Sequence, residues 1–348
     1  MVAADAPRDV PGNRPSHAKP LELPKTRSRA YSSHGGAYYV GDSAKLLTSR
    51  AFSGLKGRVQ LLVTSPPYPL NEKKSYGNLT GGEYLRWMES LAPVFSDLLT
   101  DDGSIVIEVG NSWEPNRPVQ SLLALEALLA FTKAKGANLR LVQQFVCYNP
   151  SRLPSPASWV TVKPMRTVDS FTHVWWLAKT DTPKADNRKV LRPYSKAMRD
   201  LLKRGAYNAG RRPSEHAVSE TGFLNDRGGS IAHSLFELEP LEAHREVRLP
   251  NAFSFSNTAS KDFFHAACKE RGIVPHPARM PLGLASFFIE FLTDAGDLVL
   301  DPFGGSNTTG YAAALANRRW VAIDAQEDYV EQSKLRFFDP QLKKNSKP

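Results

Sequence analysis

Residues 59–70 read VQLLVTSPPYPL, and this stretch decides the fold. Val59 to Val63 has the length and β-branching of a fully buried strand. It runs into Thr64 and Ser65, then Pro66, Pro67 and Tyr68. Two adjacent prolines hold two φ angles and remove two backbone donors, so the strand stops on a stiff turn. The turn carries an aromatic tip. In open α/β sheets ligands bind outside the carboxyl ends of such strands.

Working outward, seven segments read as strands: 37–42, 59–65, 103–110, 141–149, 171–180, 297–305 and 318–325. Helical patterns fall between most of them, at 82–99, 119–136, 282–296 and 307–318. The second ends in Lys and Gly, a stop signal. Strands alternating with helices predict a doubly wound, mostly parallel α/β sheet. Trp175 and Trp176 are neighbours on one strand, so alternation sends them to opposite faces and at least one is core. The rhythm breaks over 181–270, which is basic, carries Gly-Gly and several prolines, and reads as a recognition lobe. The expected layout is a basic tail (1–34), a catalytic half (35–180), a recognition region (181–270), a cofactor half (271–338) and a short tail (339–348).

The chain has 348 residues, 41% of them hydrophobic, enough for one large core with an appended lobe. No apolar run approaches the roughly 20 residues of a membrane span, and the N-terminus lacks the apolar stretch of a secretory signal. Cys147 and Cys268 stand apart, without metal-ligand spacing. That argues against a disulfide framework or a metal site, and suits a reducing cytoplasm. Net charge is +10. Residues 184–214 hold ten Lys/Arg against Asp186 and Asp200, an electrostatic footprint for a polyanion such as nucleic acid.

A second motif, DPFGGSNTTG, occupies 301–310 between the apolar run DLVL and an Ala-rich helix. Strand, Gly-bearing loop and helix make the layout of a nucleotide-type cofactor site. Gly304 and Gly305 let backbone approach a ligand where a Cβ would collide. Asp324, at the next strand end, is placed to hold a ribose diol.

TSPPY together with DPFGGSNTT resembles the S-adenosylmethionine-dependent amino-methyltransferases of DNA. The catalytic motif precedes the cofactor motif, as in their β group. KKSYGNL, YNPSRLPSP, VWWLAKT, KVLRPYS, RRPSEH, GGSI and HPARMP extend the resemblance to the PvuII-type N4-cytosine modification enzymes, over about 37–338. The resemblance implies a seven-stranded methyltransferase sheet, circularly permuted, in which strand 297–305 is followed by those ending at Asp324, Asp42 and Ser65. It implies a cofactor set of Thr64, Asp301, Phe303, Gly304, Gly305, Ser306, Asn307, Thr308 and Asp324. Asp42 would sit by the adenine amine, and His276, Pro277 and Arg279 would line the methionine end. His276 can equally be a core-satisfied histidine. Asn307 stands where the usual cofactor loop has Gly, and Asn tolerates a left-handed backbone. Residues 237–256 depart from the PvuII-type pattern, which leaves the target sequence open; the resemblance suggests a short palindrome such as CAGCTG.

The chemistry such an enzyme performs is in-line transfer to an exocyclic amine. The amine's lone pair is delocalised into the ring and must be turned toward the methyl group. Ser65 Oγ and the Pro66 carbonyl are acceptors for the amine hydrogens, held rigid by Pro66 and Pro67. Tyr68 offers a face for a flipped base, since the amine is inaccessible in the stack. Glu108 is a second carboxylate at the same edge, able to support the catalytic loop or simply be solvated. C5-cytosine chemistry needs a thiolate after the Pro dipeptide, where this chain has Tyr68. Arg188, Arg192, Lys196, Arg211, Arg212, Ser214 and His216 are the expected DNA contacts. The expectation is a bacterial or phage-encoded, nucleoid-associated cytoplasmic enzyme that works on double-stranded DNA as a monomer, with a dimer as the alternative; the sequence leaves open whether a restriction endonuclease shares its site, and no stable complex with one is expected. N6-adenine methylation is the alternative; an inactive DNA-binding protein and an RNA or protein methyltransferase are more distant ones.

Overall fold

The computed structural model describes residues 21–69, 79–154, 156–239, 253–256, 263–276 and 279–345. The strands are β1 (Arg29–Ser33), β2 (Gly36–Val40), β3 (Val59–Thr64), β4 (Leu99–Gly110), β5 (Arg140–Tyr148), β6 (Phe171–Ala178), β7 (Gly210–Arg211), β8 (Ala217–Val218), β9 (Leu235–Glu239), β10 (Phe253–Ser256), β11 (Leu298–Asp301) and β12 (Arg319–Asp324). The helices are α1 (Ser43–Thr48), α2 (Gly81–Leu98), α3 (Leu123–Lys133), α4 (Lys196–Arg204), α5 (Phe263–Glu270), α6 (Leu282–Leu292), α7 (Thr308–Leu315), α8 (Glu327–Ser333) and α9 (Pro340–Asn345).

All strands except β7 and β8 join one sheet, ordered β1-β2-β12-β11-β3-β4-β6-β5-β9-β10. β11 pairs in parallel with both β12 and β3, so a strand late in the chain lies at the centre beside one from its beginning. The permutation is therefore physical: the two halves of the sequence interleave in one sheet. β6 runs antiparallel to β4 and β5, and β1 antiparallel to β2; the other pairings are parallel.

Period-2 alternation sorts the core into two layers. From β3, Leu62 packs with α2 and α3 on one face, and Leu61 and Val63 with α6 and α7 on the other; Val59 joins the face of Leu62 because the register shifts between Val59 and Leu61. Trp175 and Trp176 separate the same way and both are buried, because each face of the sheet is covered. Among the described residues no helix is long and apolar enough to cross a membrane.

Three boundaries differ from expectation. Part of the expected tail is folded: Leu21 and Leu23 pack on the core, β1 pairs with β2, and Tyr39 Oη donates to the Pro24 carbonyl at 2.8 Å. Within 181–270, β9 and β10 extend the main sheet and Phe236 stacks on Phe145 in its core, whereas α4 and the β7–β8 pair contain no buried residue. The C-terminal segment begins as α9, with Leu342 buried. Residues 1–20 and most of 237–256 lie outside the described residues.

Candidate active site

The two motifs meet because β3 and β11 are neighbours. Asp301, buried at the end of β11, joins them. Its Oδ1 accepts from Thr64 Oγ1 at 2.7 Å and from the Phe303 amide at 3.1 Å, and its Oδ2 accepts from Thr309 Oγ1 at 2.7 Å. Burial pushes this carboxyl up to about 6, against the lowering effect of those donors. The Ser-Pro-Pro-Tyr turn and the Gly loop thus share one buried anchor.

Past the anchor opens a cavity of about 230 Å3. Ser65, Pro66, Pro67, Tyr68 and Glu108 form one wall. Phe303, Gly304, Gly305, Ser306, Thr308 and Asp324 form the other, with His276 and Arg279 at its side.

On the Gly-loop wall, Gly305 has φ +48, and a Cβ there would stand 3.2 Å from His276 Nε2. Its amide donates to Asp324 Oδ2 at 2.8 Å, while the Gln326 amide donates to Asp324 Oδ1 at 2.9 Å. Burial holds the Asp324 carboxyl above its ordinary value, in opposition to these amides. The His276 amide donates to Gln332 Oε1 at 2.9 Å, and its ring meets Tyr329 edge-on at 4.2 Å. Gly304 has a structural reason of its own: an added Cβ would lie 2.7 Å from Tyr38 Oη, which donates to the Gly305 carbonyl at 2.8 Å.

On the catalytic wall, the Tyr68 ring covers Gly110 so closely that a Cβ there would come within 2.5 Å of it. Burial pushes the Tyr68 phenol well up, with Glu108 adding and a hydrogen bond to Ser65 opposing. Ser65 Oγ also lies 3.5 Å from the Glu108 carbonyl, a long contact. Glu108 is buried and accepts from Thr172 Oγ1 at 3.0 Å. Burial raises its carboxyl to about 7, with Thr172 and Arg152 pulling down.

Several expected residues stand elsewhere. Thr64 is fully buried beneath the cavity and serves Asp301 rather than lining the space. Asn307 does adopt the left-handed conformation, φ +57, but faces inward: it caps α7 through Gly310 N at 3.1 Å and donates to Tyr31 Oη at 3.0 Å. Asp42 is exposed, caps α1 through Lys45 N at 2.9 Å, and does not line the cavity. Pro277 lies outside the described residues.

The expected DNA contacts scatter. Arg188 pairs with Asp186 at 2.8 Å, next to a backbone bond from Asp186 N to the Phe291 carbonyl. Lys184 bonds through its amide to the Asp102 carbonyl. Those partners mark the amino edge of the sheet, opposite the cavity, so Arg188 does not belong to a DNA face around it. Arg192 bridges to Ser230 through backbone, Lys196 opens α4, and Arg211, Arg212, Ser214 and His216 form the exposed β7–β8 hairpin. None of these lines the cavity.

The structure adds residues the sequence reading missed. Gly110 was visible only as the end of SIVIEVG. Thr309 was visible as the second Thr of the motif, and Arg336 only as one cation near the end of the cofactor half. Arg336 is buried; its Nε donates to the Ser306 carbonyl at 2.6 Å, and its Nη2 to Ser306 Oγ at 3.0 Å and Thr308 Oγ1 at 3.1 Å.

An open α/β sheet with a Gly loop, an acid at the next strand end and a rigid Ser-Pro-Pro-Tyr turn facing the same cavity defines the amino-methyltransferase class. Residues 59–335 match the DNA methylase family N6_N4_Mtase, and the chain belongs to that family. It is similar to the Type II methyltransferase M.PvuII of Proteus hauseri, 38% identical over 312 residues that cover 89% of this chain and 86% of that protein. A shorter stretch of 74 residues, 21% of this chain and 27% of that protein, is 43% identical to the Type II methyltransferase M2.MboI of Moraxella bovis. Among solved structures, that of PvuII DNA methyltransferase (cytosine-N4-specific) superposes with a TM-score of 0.67 at 33% identity, covering 92% of this chain and 93% of that one.

Proposed function

We propose that this protein transfers a methyl group from S-adenosylmethionine to the N4 amine of cytosine at a specific site in duplex DNA. The observation that carries the reading is the cavity shared by the Ser-Pro-Pro-Tyr turn and the Gly loop. The likeness to M.PvuII supports the choice of base.

The residues present fit the cofactor. A Cβ at Gly305 would intrude toward His276, so the loop keeps open a strip along the cavity wall. Asp324 offers a carboxylate for a ribose diol, and Arg279 a guanidinium for an amino-acid carboxylate. When bound, S-adenosylmethionine supplies an electrophilic methyl carbon whose leaving group is a neutral thioether. The protein's part is to present the amine. Ser65 Oγ and the Pro66 carbonyl accept the two N–H groups and turn the nitrogen lone pair toward the Gly-loop wall. One amine proton leaves through these acceptors to water as the N–C bond forms. Tyr68, fixed on Gly110, is the platform on which the flipped base stacks. Glu108, neutral over much of the range below pH 7, offers a hydroxyl donor to the ring nitrogen beside the amine, and no metal or covalent intermediate is needed.

Double-stranded DNA is the partner in this reading. A monomer can modify each strand of a palindrome in turn, and a cytoplasmic setting beside a restriction endonuclease of the same site fits the reading.

Modification-sensitive long-read sequencing of DNA from cells expressing the protein, against an empty vector, tests it. N4-methylcytosine in one short motif is the expected result. N6-methyladenine would keep the mechanism and overturn the base. No modified base, with cofactor binding shown separately, would overturn the DNA substrate.

A further inference from the structure

The segment 149–170 links β5 to β6 at the carboxyl edge of the sheet, where β3 and β4 also end beside the cavity. Its ends are closed by a bond from Asn149 N to the Ser170 carbonyl at 2.7 Å. Its far half is held by its own bonds. Val160 N reaches the Pro156 carbonyl at 3.1 Å, Met165 N reaches the Trp159 carbonyl at 3.0 Å, and Arg166 grips both Asp169 oxygens at 3.2 and 2.9 Å. A π-helical turn at Ser158–Val162 contains no buried residue. The described residues of the loop therefore hold one another and stand off the core.

Its surface is unusual. Of the four most exposed large apolar side chains among the described residues, three lie here: Leu153 at 80%, Val162 at 76% and Met165 at 67%. Single exposed apolar residues need no explanation, but a concentration on one loop marks a surface that meets something. The loop carries three basic residues, Arg152, Lys163 and Arg166, against one acid, Asp169. Asp169 is taken up by Arg166; Arg152 and Lys163 are the sequence neighbours of Leu153 and Val162, and Lys163 Nζ stands 4.9 Å over the Trp159 ring. Arg152 donates to the Phe171 carbonyl at 3.4 Å, and its charge is felt by both Glu108 and Tyr68. Leu153 therefore follows directly on a residue that reaches the catalytic wall.

We infer that Leu153 is a wedge that enters the base stack of duplex DNA and fills the gap left by the target nucleotide, with Arg152 and Lys163 meeting the phosphates beside it. Apolar side chains inserted between base steps are a general means of unstacking them, and a base that must leave the duplex leaves a gap for such a group to fill. Charge complementarity selects nucleic acid over an apolar protein partner. The inference rests on the reading of the protein as a duplex-DNA methyltransferase.

The test is single-turnover methylation by the full chain and by Leu153→Ala, on two duplexes carrying the site found by sequencing. In one the target cytosine is paired; in the other it faces an abasic position and is already free to leave. Leu129→Ala, an exposed apolar residue of α3, is the control. Leu153→Ala is expected to slow the paired duplex by about tenfold or more and the pre-opened one by less than about threefold, because only the first must be unstacked. An equal fall on both duplexes, or none on either, overturns the wedge. If the unsubstituted protein methylates neither, the methyltransferase reading falls and the wedge with it.

Discussion

At Glu108 a single carboxyl group links the active site to stability. Burial lifts it from an ordinary 4.5 to about 7. The fold thus favours the neutral form. The stability this contributes is complete below pH 4.5 and is lost as pH rises through 7. Fully ionised, the group costs about 3 kcal/mol, since each pH unit between the two values is worth roughly 1.4 kcal/mol. Asp301, raised to about 6, slopes the same way. Melting temperature should therefore fall across this window, and Glu108→Gln should flatten, not abolish, the decline; a slope unchanged by the substitution would clear Glu108 of the effect. Ser65→Ala should abolish methyl transfer while cofactor affinity stays near normal, as read by calorimetry and single turnover; near-normal turnover would refute the assigned role. Gly110→Ala should displace the Tyr68 ring, which the new Cβ would meet at 2.5 Å, and lower kcat with little change in cofactor binding.

Among the elements, β3 and β11 act as one unit through Asp301. Removing that carboxyl strands two buried threonine hydroxyls, and a buried polar group without a partner costs about 1–3 kcal/mol. Asp301→Ala should lower stability by several kcal/mol in denaturant melts and loosen both loops together. The turn into α7 depends on two left-handed residues, Gly305 at φ +48 and Asn307 at φ +57. Arg336 braces this turn from below, with three bonds from one guanidinium. A lysine cannot reproduce that fork. Arg336→Lys should raise the cofactor dissociation constant by about tenfold, the equivalent of 1.4 kcal/mol, and leave kcat at saturating cofactor nearly unchanged; a matching fall in kcat would show that the brace does more than hold the loop.

Over the whole molecule, the basic run that reads as one footprint in sequence comes apart. Lys184 and Lys189 are occupied by Asp294, at 2.6 Å each, and Arg188 lies with them. α4 and the β7–β8 hairpin carry the remainder on exposed surface. Neutralising Lys196, Arg211 and Arg212 together should flatten the salt dependence of DNA binding, the slope falling by about 0.9 for each phosphate left unneutralised. Arg188→Ala should leave the slope as it is. Anisotropy titrations across salt concentrations separate the two; a slope that answers to Arg188 instead would move the DNA face to the amino edge.

The local patterns carried far. β3 is legible in VQLLV because a strand buried on both faces needs an unbroken apolar run, and the Gly loop is legible because its backbone needs glycine. Most strands of the inner sheet carry such a pattern (β5, interrupted by Gln143 and Gln144, is legible only from its β-branched and aromatic residues). β9, read as LFELE, does not, for two acids interrupt it and its place depends on pairing with β5 far away in sequence. Chemistry-bearing residues divide the same way. Ser65, Tyr68, Glu108, Gly305 and Asp324 reach the cavity from motifs whose spacing is local. That Asp301 binds Thr64 across 237 positions, that Asn307 turns inward, that Asp42 caps a helix and that Arg336 reaches the Gly loop all depend on which strands lie side by side. The strands, the stiff Ser-Pro-Pro-Tyr turn and the Gly loop are written in local sequence, because backbone stereochemistry and apolar periodicity act over a few residues. Which polar groups face the cavity and which hold it in place follows from the packing of distant segments, because that choice rests on contacts whose separation no local pattern records.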